Sequence, residues 1–581
     1  MELLKNLFWY FKLKKWRYLM ASLLLVLVAL LNLIPPWITG EIVDAAMDKR
    51  LSRDFLLNNV SLIVIIALVV YGLRYLWRLS LYSASFQLGV LLRRRIYDHL
   101  MLQPPAFFQR YKTGDLMARA TNDVNAVEMS AGEAILALVD GVLTGVVVLT
   151  VLVFAIDWRL TLVALLHWPL MAYGFWRINQ RLHDAFIEAQ ARFSDLNDHV
   201  QENISGVRLV KAYGLEARSM EEFNGGAQAA ADANLAVAMA EAKYEPLIFV
   251  TMGASFLLAV GFGAWFVVQQ QLTIGDITKF TLYLGYLIWP MFAYGWLLNL
   301  LERGTVAYGR IQELLDTEPA IVDDGSLIPQ GELSLRWEIE SFSYPQSPKP
   351  VLKNFSGELK AGQTLGIVGP VGSGKSSFIH LLTRQQQVDS GEIYLGEHPL
   401  AYYQLQALRA QLLVVPQEAF LFSATIAENI ALGFPEASHA QIEQAATLAC
   451  VHDDIKSFPQ GYQTLVGERG VTLSGGQKQR LAIARALLIE TPLLILDDAL
   501  SAVDVATEQK ILTCLRQRRL GKTTIIVCHR LTAVEQADNI IVLQAGTPIE
   551  TGTHQQLIAQ SGWYAKMYQY QQLEQVVEEG R

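Results

Sequence analysis

The sequence predicts an all-α transmembrane domain of six helices followed by an α/β domain built around a phosphate-binding loop. Three observations predict it. Apolar stretches long enough to cross a bilayer, about 20 residues each, recur through the first half of the 581-residue chain. They stop after Arg303, and strand-like segments then alternate with helical ones to about residue 555, as in an α/β domain. Within that second half, Gly369-Pro370-Val371-Gly372-Ser373-Gly374-Lys375-Ser376 follows a strand-like run and opens a helix.

Composition fits this division. Hydrophobic residues make up 52% of the chain although 18% are charged, which a lipid-facing half and a water-facing half together explain. A net charge of −8, with no basic stripe past the N-terminus, argues against nucleic acid as a partner. The three cysteines, Cys450, Cys514 and Cys528, have no zinc, redox or disulfide spacing, so a reducing cytosol is expected around them.

The transmembrane domain is expected over 1–310, with crossings near 19–41, 59–79, 134–156, 159–178, 246–269 and 277–300. Lys5, Lys12, Lys14, Lys15 and Arg17 precede the first crossing and place the N-terminus in the cytoplasm. Against this stand Lys49, Arg50 and Arg53 in the first outer loop, but Asp44, Asp48 and Asp54 accompany them. Residues 1–17 read as an interfacial elbow helix with Leu4, Leu7, Phe8 and Phe11 on one face. A signal peptide is the rival reading, but no small-residue cleavage site follows and the apolar run is too long. Pro35 and Pro36 are expected to bend or end the first helix near the outer face.

Two long segments between crossings, roughly 80–133 and 179–245, read as helical legs continuing into the cytoplasm. Their tips, near 113–124 and 211–220, are expected to be coupling helices. Thr113 is placed as N-cap of a short helix carrying Asp115, Leu116 and Met117, and Gly214 as the interruption in the second tip. Solvated linker helices are the plainer alternative. Of the few ionisable groups in the crossings, Arg74, Arg78, Asp140 and His167, Asp140 could attract a cationic substrate or make an interhelical hydrogen bond. Trp289, Phe292, Tyr294 and Trp296 could line an aromatic cavity or simply pack.

A turn-rich linker, 311–335, leads to a second domain over 336–581. In its phosphate loop, glycines let backbone N–H groups close on phosphate oxygens, and the following helix N-terminus adds positive potential. Lys375 is expected to reach the terminal phosphates of ATP and Ser376 to ligate Mg²⁺. Leu493-Leu494-Ile495-Leu496-Asp497 is an apolar strand ending in a carboxylate suited to holding Mg²⁺, although an acid there is also an ordinary helix cap.

Between these two elements, Leu473-Ser474-Gly475-Gly476-Gln477, followed by Lys478-Gln479-Arg480, resembles the signature of ABC ATPases. Six crossings fused ahead of one such domain resemble an ABC exporter half-transporter of the type IV fold along nearly the whole chain. The resemblance implies further roles. Tyr344 would stack on adenine, Gln417 would be the Q-loop residue that senses Mg²⁺, Asp504 would belong to the D-loop at 501–504, and His529 would be the switch histidine. Gly467-Glu468-Arg469-Gly470 resembles the exporter loop that touches coupling helices. The nucleotide-binding set then comprises Tyr344, Gly369, Pro370, Val371, Gly372, Ser373, Gly374, Lys375, Ser376 and Ser377. Ser474, Gly475, Gly476, Gln477 and Asp504 would serve a nucleotide held by a second half. Ser376, Gln417 and Asp497 form the metal set, and Asp498, Gln417 and His529 the hydrolytic set.

One position departs from the family pattern. Most members have glutamate after the strand-end aspartate, and here it is Asp498. One methylene fewer withdraws the carboxylate by about 1 Å, and misplacement on that scale costs about 10²-fold in rate. The expectation is a heterodimer with a second half-transporter carrying the glutamate; a homodimer in which Asp498 suffices is the alternative. The expected activity is ATP-driven export of hydrophobic or amphipathic drugs or lipids from a bacterial inner membrane. An ATP-gated channel or sensor is the second class, and six crossings exclude a soluble ATPase acting on DNA or ribosomes.

Overall fold

The computed structural model describes residues 2–331, 333–344, 347, 349–467 and 473–579. They form two compact units, residues up to 101 with 111–317, and residues 102–110 with 318 onward.

The first unit is helical throughout. Among the described residues, five helical stretches have the length and apolar composition to cross a membrane: Lys15–Met47, Arg53–Leu102, Thr113–Leu165, Glu216–Val268 and Ile274–Leu315. The third stretch has a corner. Asp157 leaves helical geometry (φ −160°, ψ 124°) and its carboxylate accepts from the N–H groups of Arg159 and Leu160 at 2.8 and 3.0 Å, capping a new helix. That helix, Trp158–Leu165, resumes as Trp168–Ser205 and runs over the fourth expected crossing, 159–178. His167, Trp168, Pro169 and Gly174 dilute its apolar character, which is why composition marks it least clearly.

Prolines set the interruptions. The first crossing ends at Leu31 and restarts as Ile34–Met47 with Pro35 and Pro36 in its first turn. The fourth restarts at Trp168-Pro169, and the sixth, Ile274–Tyr286, restarts as Ile288–Leu315 with Pro290 two residues in. Proline has no N–H to give and clashes with the carbonyl four residues back, so it is tolerated where a helix begins. The third crossing widens instead into π-helical turns at Ala137–Leu143 and Val151–Asp157. Gly141 lets it approach the sixth closely; a Cβ there would lie 2.4 Å from that of Ala293.

The N-terminal segment folds as two short helices, Glu2–Asn6 and Phe8–Leu13. Its buried side cuts across that expected apolar face. Leu3, Leu7 and Tyr10 are buried, whereas Phe8 is exposed. The reason is tertiary: the Tyr10 hydroxyl donates to the Ala84 carbonyl at 2.6 Å, and Leu3 fills the space left by the missing side chain of Gly304. Exposed Phe8, Leu13 and Trp16 leave a second apolar side suited to lipid.

Thr113 is the first helical residue of Thr113–Ala118 and not its cap; Lys112 holds that position without a side-chain bond. The Asp115 carboxylate is held by two arginines. Arg119 Nε donates to it at 2.9 Å and Arg310 at 2.7 Å, while Arg119 also donates to the Arg310 carbonyl at 2.6 Å. Arg310 Nε lies 3.5 Å from Asp123. This clamp joins the third helical stretch to the final helix of the unit, with Arg119 and Asp123 buried. The second tip consists of Val207–Ala212 and Glu216–Glu241, separated by Gly214 at φ +63°, a left-handed turn that glycine takes without strain.

The second unit contains two sheets. One is antiparallel and four-stranded, in the order Leu352–Leu359, Leu335–Phe342, Ser390–Leu395, His398–Pro399. The other has six strands, in the order Thr547–Gly552, Asn539–Gln544, Thr364–Val368, Thr523–Val527, Leu493–Asp497, Leu412–Val415, all parallel except the first. Trp337 and Phe355 of the antiparallel sheet pack on Phe378 of the helix Lys375–Leu382, centroids 5.1 and 5.0 Å away.

Replacing Arg310 by alanine leaves buried Asp123 short of a partner. Thermal unfolding of R310A should show a loss of about 1–3 kcal/mol, and an unchanged melting temperature would remove the clamp's role.

Candidate nucleotide site

Four adjacent parallel strands end in the predicted motifs. Thr364–Val368 runs into Gly369, Leu412–Val415 into Gln417, Leu493–Asp497 into Asp498, and Thr523–Val527 into His529. Ligands of open α/β sheets bind at such carboxyl ends, where loops converge.

Two glycines of the phosphate loop are needed for close packing. Gly369 has φ +151°, and a Cβ there would lie 2.1 Å from the Leu543 carbonyl; Gly374 has φ +99° and presses on Leu352 and Val351. Lys375 is buried and donates to the carbonyls of Gly369 and Pro370, both at 2.9 Å. Burial pulls its ammonium below the usual lysine range, partly opposed by Asp498. The Ser373 hydroxyl is buried without a hydrogen-bond partner. An orphaned hydroxyl, a cation resting on its own loop and an uncovered helix N-terminus fit a polyphosphate.

Ser376 Oγ donates to Asp497 Oδ1 at 3.1 Å. Burial raises the Asp497 carboxyl above its usual range despite that bond. A hydroxyl paired with a desolvated carboxylate is the hard oxygen pair that Mg²⁺ accepts. Gln417 Nε2 donates to Asp498 Oδ2 at 3.3 Å, so the third predicted metal residue faces the same acidic edge. Asp498 has φ +48°, and its N–H donates to the Val527 carbonyl at 2.8 Å. Desolvation, then nearby Lys375, lowers the pKa of His529 and favours its neutral imidazole. The Tyr344 hydroxyl donates to Ser377 Oγ at 3.0 Å and lies 3.3 Å from His380 Nδ1, tying the expected adenine-stacking ring to the phosphate-loop helix.

The signature residues form a separate group. Ser474 caps the helix Gly475–Leu488 through a reciprocal box with Gln477. Gln477 Nε2 donates to Asp454 at 3.1 Å, and Arg480 donates to the same carboxylate at 2.8 Å. Gln477 is thus occupied in orienting the loop, while Ser474 and the two glycines form the helix start. Asp504 caps Val505–Arg518, accepting from the Thr507 N–H at 2.9 Å. Glu468, Arg469 and Gly470 lie outside the described residues.

Sequence motifs did not reveal the supports behind these loops. Arg530 donates to Glu508 and to the D-loop carbonyl of Val503, at 2.6 and 2.9 Å. The Gln571 side chain accepts from the Leu531 N–H at 2.9 Å and donates to the His529 carbonyl at 2.8 Å. Each links positions at least 22 residues apart, and only the adjacency of Arg530 to His529 could have signalled one of them.

In the membrane unit, Asp140 accepts from the Trp289 indole at 3.0 Å, the interhelical bond weighed as one of its two uses. His167 Nε2 is 2.7 Å from the Thr251 carbonyl. Trp289 and Phe292 are exposed, and Trp289 meets Trp296 edge-on at 6.3 Å.

An apolar helical domain, a phosphate loop at a parallel-sheet edge and a capped signature helix together define an ABC exporter half that couples ATP hydrolysis to transport. Residues 18–291 match the ABC transporter transmembrane region and 352–501 the ABC transporter ATPase domain; the chain belongs to the ABC transporter family. It is 48% identical over its full length to the multidrug resistance-like ATP-binding protein MdlA of Escherichia coli, covering 98% of that protein. It is 39% identical to the probable multidrug resistance ABC transporter protein YheI of Bacillus subtilis, over 98% of each chain. A bacterial Atm1-family ABC exporter solved with ATP bound superposes with a TM-score of 0.77 at 28% identity, covering 96% of this chain and 98% of the other.

Burial also lowers the pKa of His380. A histidine with a lowered folded pKa stabilises the fold above its unfolded value, and that stability is lost as pH falls through the folded one. Melting temperature should therefore drop as pH falls from about 7 to about 5.5, and His380→Gln should flatten the drop. An equal drop in the variant would refute the assignment.

Proposed function

We propose that this chain is the weakly hydrolysing half of a heterodimeric exporter of hydrophobic or amphipathic drugs or lipids. The observation carrying the reading is Asp498, a shortened carboxylate beside a phosphate cradle with every expected group present. In this reading Gly369–Ser377 and Tyr344 bind ATP, and Lys375 neutralises its terminal phosphates. Ser376, Asp497 and Gln417 would hold Mg²⁺, which when bound offsets negative charge on the phosphate oxygens. His529, its imidazole held toward the neutral form, would donate or accept at the γ-phosphate, and Asp498 would orient water, though from too far back.

The second half carries glutamate at the corresponding position. The two ATPase domains close head to tail, so that Ser474, Gly475, Gly476 and Asp504 complete the partner's competent site. ATP favours the closed pair and biases a bistable membrane domain toward the outward state; hydrolysis releases that bias. The tips at 113–124 and 211–220 serve as coupling elements. Both termini lie in the cytoplasm and the membrane is the bacterial inner membrane. The relatives support the class of cargo: YheI and MdlA carry multidrug-resistance names, and a relative 32% identical over 88% of this chain is an ATP-dependent lipid A-core flippase of Syntrophus aciditrophicus.

The purified chain alone should hydrolyse ATP slowly. In the mixed complex, Asp498→Glu should raise turnover at this site by up to about 10²-fold. Brisk, drug-stimulated hydrolysis by the chain on its own would sink the heterodimer in favour of a homodimer.

A further inference from the structure

Gln479 lies one turn into the signature helix, and its amide is fully engaged although the residue is only 6% exposed. Its Nε2 donates to the Gln417 main-chain carbonyl at 3.3 Å and to Ser501 Oγ at 3.0 Å. Its Oε1 accepts from the Ala502 N–H at 2.8 Å. Ser501 Oγ in turn donates to the Asp498 carbonyl at 2.9 Å, and the Gln417 side chain donates to the Asp498 carboxylate at 3.3 Å. The hydrogen bonds therefore close a ring: Gln479, Ser501, Asp498, Gln417 and back to Gln479.

We infer that Gln479 is a positioning residue that locks the Q-loop to the D-loop across the signature helix, and so carries the nucleotide state of this chain's site to the site its signature completes. The inference rests on the head-to-tail pairing proposed above. The physical reasoning is that Gln417 and Asp498 face this chain's own phosphate cradle, whereas Ser474–Gly476 and the D-loop serve the second nucleotide. Gln479 spans the two sets directly, bonding the Gln417 carbonyl on one side and Ser501 and Ala502 of the D-loop on the other. Packing is too tight to accommodate slack: a Cβ on Gly476 would lie 2.9 Å from the Ala502 carbonyl, so the signature helix start and the D-loop must move together. A shift of the Gln417 backbone is thus transmitted through a short, saturated amide and not through solvent. A plain core glutamine would satisfy its amide just as well on any neighbouring backbone; here all three partners lie on the two loops that flank the acidic edge.

The test uses the full-length transporter, assembled with its second half in lipid nanodiscs, and compares Gln479→Met, Gln479→Glu and Ser474→Arg. Methionine keeps the length and removes every bond; glutamate keeps the acceptor for Ala502 but cannot donate to Gln417. Q479M should bind trinitrophenyl-ATP as the wild type does, while maximal turnover falls by at least about tenfold, toward the 10²-fold that displacement by about 1 Å brings. Its ATP saturation curve should lose cooperativity, and Q479E should be intermediate. Wild-type turnover and curve shape in Q479M, with S474R inactive, would overturn the link and leave the pairing standing. Equal losses of analogue affinity and turnover would make Gln479 a packing residue and also overturn it. Full activity in S474R would sink the pairing itself. Should Q479M fail to fold, Q479E decides by the same two readouts.

Discussion

The phosphate loop and the residues around it depend on the register of four adjacent parallel strands. Leu496 pairs with Ile526 and Val415, and Asp497 and Ile367 both pair with Val527, so the four strands terminate at nearly the same height. The phosphate loop, the acidic pair, the switch histidine and the Q-loop therefore emerge side by side. A slip of one residue in Leu493–Asp497 would turn Asp497 to the opposite face of the sheet and dissolve its bond to Ser376. The register is well protected. All five residues of that strand and all five of Thr523–Val527 are buried, as expected of parallel strands covered on both faces.

Polar pins distribute the membrane helices in a similarly determined way. The third and sixth are joined by Asp140–Trp289 and by Ser130, whose hydroxyl donates to the Leu300 carbonyl at 2.7 Å. The first and sixth are also joined by Lys279, which donates to Glu41 at 2.8 Å with its ammonium 4.4 Å from the Trp37 ring centroid. The second meets the third through Arg93 and Asn125 at 2.5 Å. The fourth and fifth are joined by His167–Thr251 and by Trp168–Ser255 at 3.2 Å. Polar groups within the crossings must find partners, so Asp140–Trp289, His167–Thr251 and Trp168–Ser255 mark which helices stay together there. The breaks at Pro35–Pro36, Pro169 and Pro290 mark where single helices lack a full ladder of bonds and can bend.

How much of this was legible follows from how local each signal is. Gly369–Ser376, Leu493–Asp497 and Ser474–Gln477 are contiguous, and their chemistry is set by residue type and spacing. Prolines announce helix restarts for the same reason. The elbow segment shows the limit. Periodicity gives Leu4, Leu7, Phe8 and Phe11 one face, but the face that docks is chosen by the gap at Gly304, nearly three hundred residues away. The tip helix starts one residue earlier than expected, at Thr113 with Lys112 in the cap position, and Asp115 is bonded to Arg310 across 195 positions, a contact no local rule contains. The ring through Gln479 was hidden for a different reason. Its members each belong to a legible motif, yet a buried glutamine inside an amphipathic helix reads as ordinary packing until its partners are known.

The shortened carboxylate of Asp498 can now be separated from its backbone. Its left-handed conformation (φ +48°) is one that aspartate and asparagine adopt more readily than most residues. The main chain there is fixed from two sides, by its N–H on Val527 and by its carbonyl, which accepts from Ser501 Oγ. Neither bond involves the carboxylate. An exchange between aspartate and glutamate would therefore leave both main-chain bonds available and change the reach of the carboxylate and its contact with Gln417. That is the kind of change that can weaken hydrolysis at one site while sparing nucleotide binding and the signature that Gln479 ties to the same loop. A loss acting through the fold would damage all three.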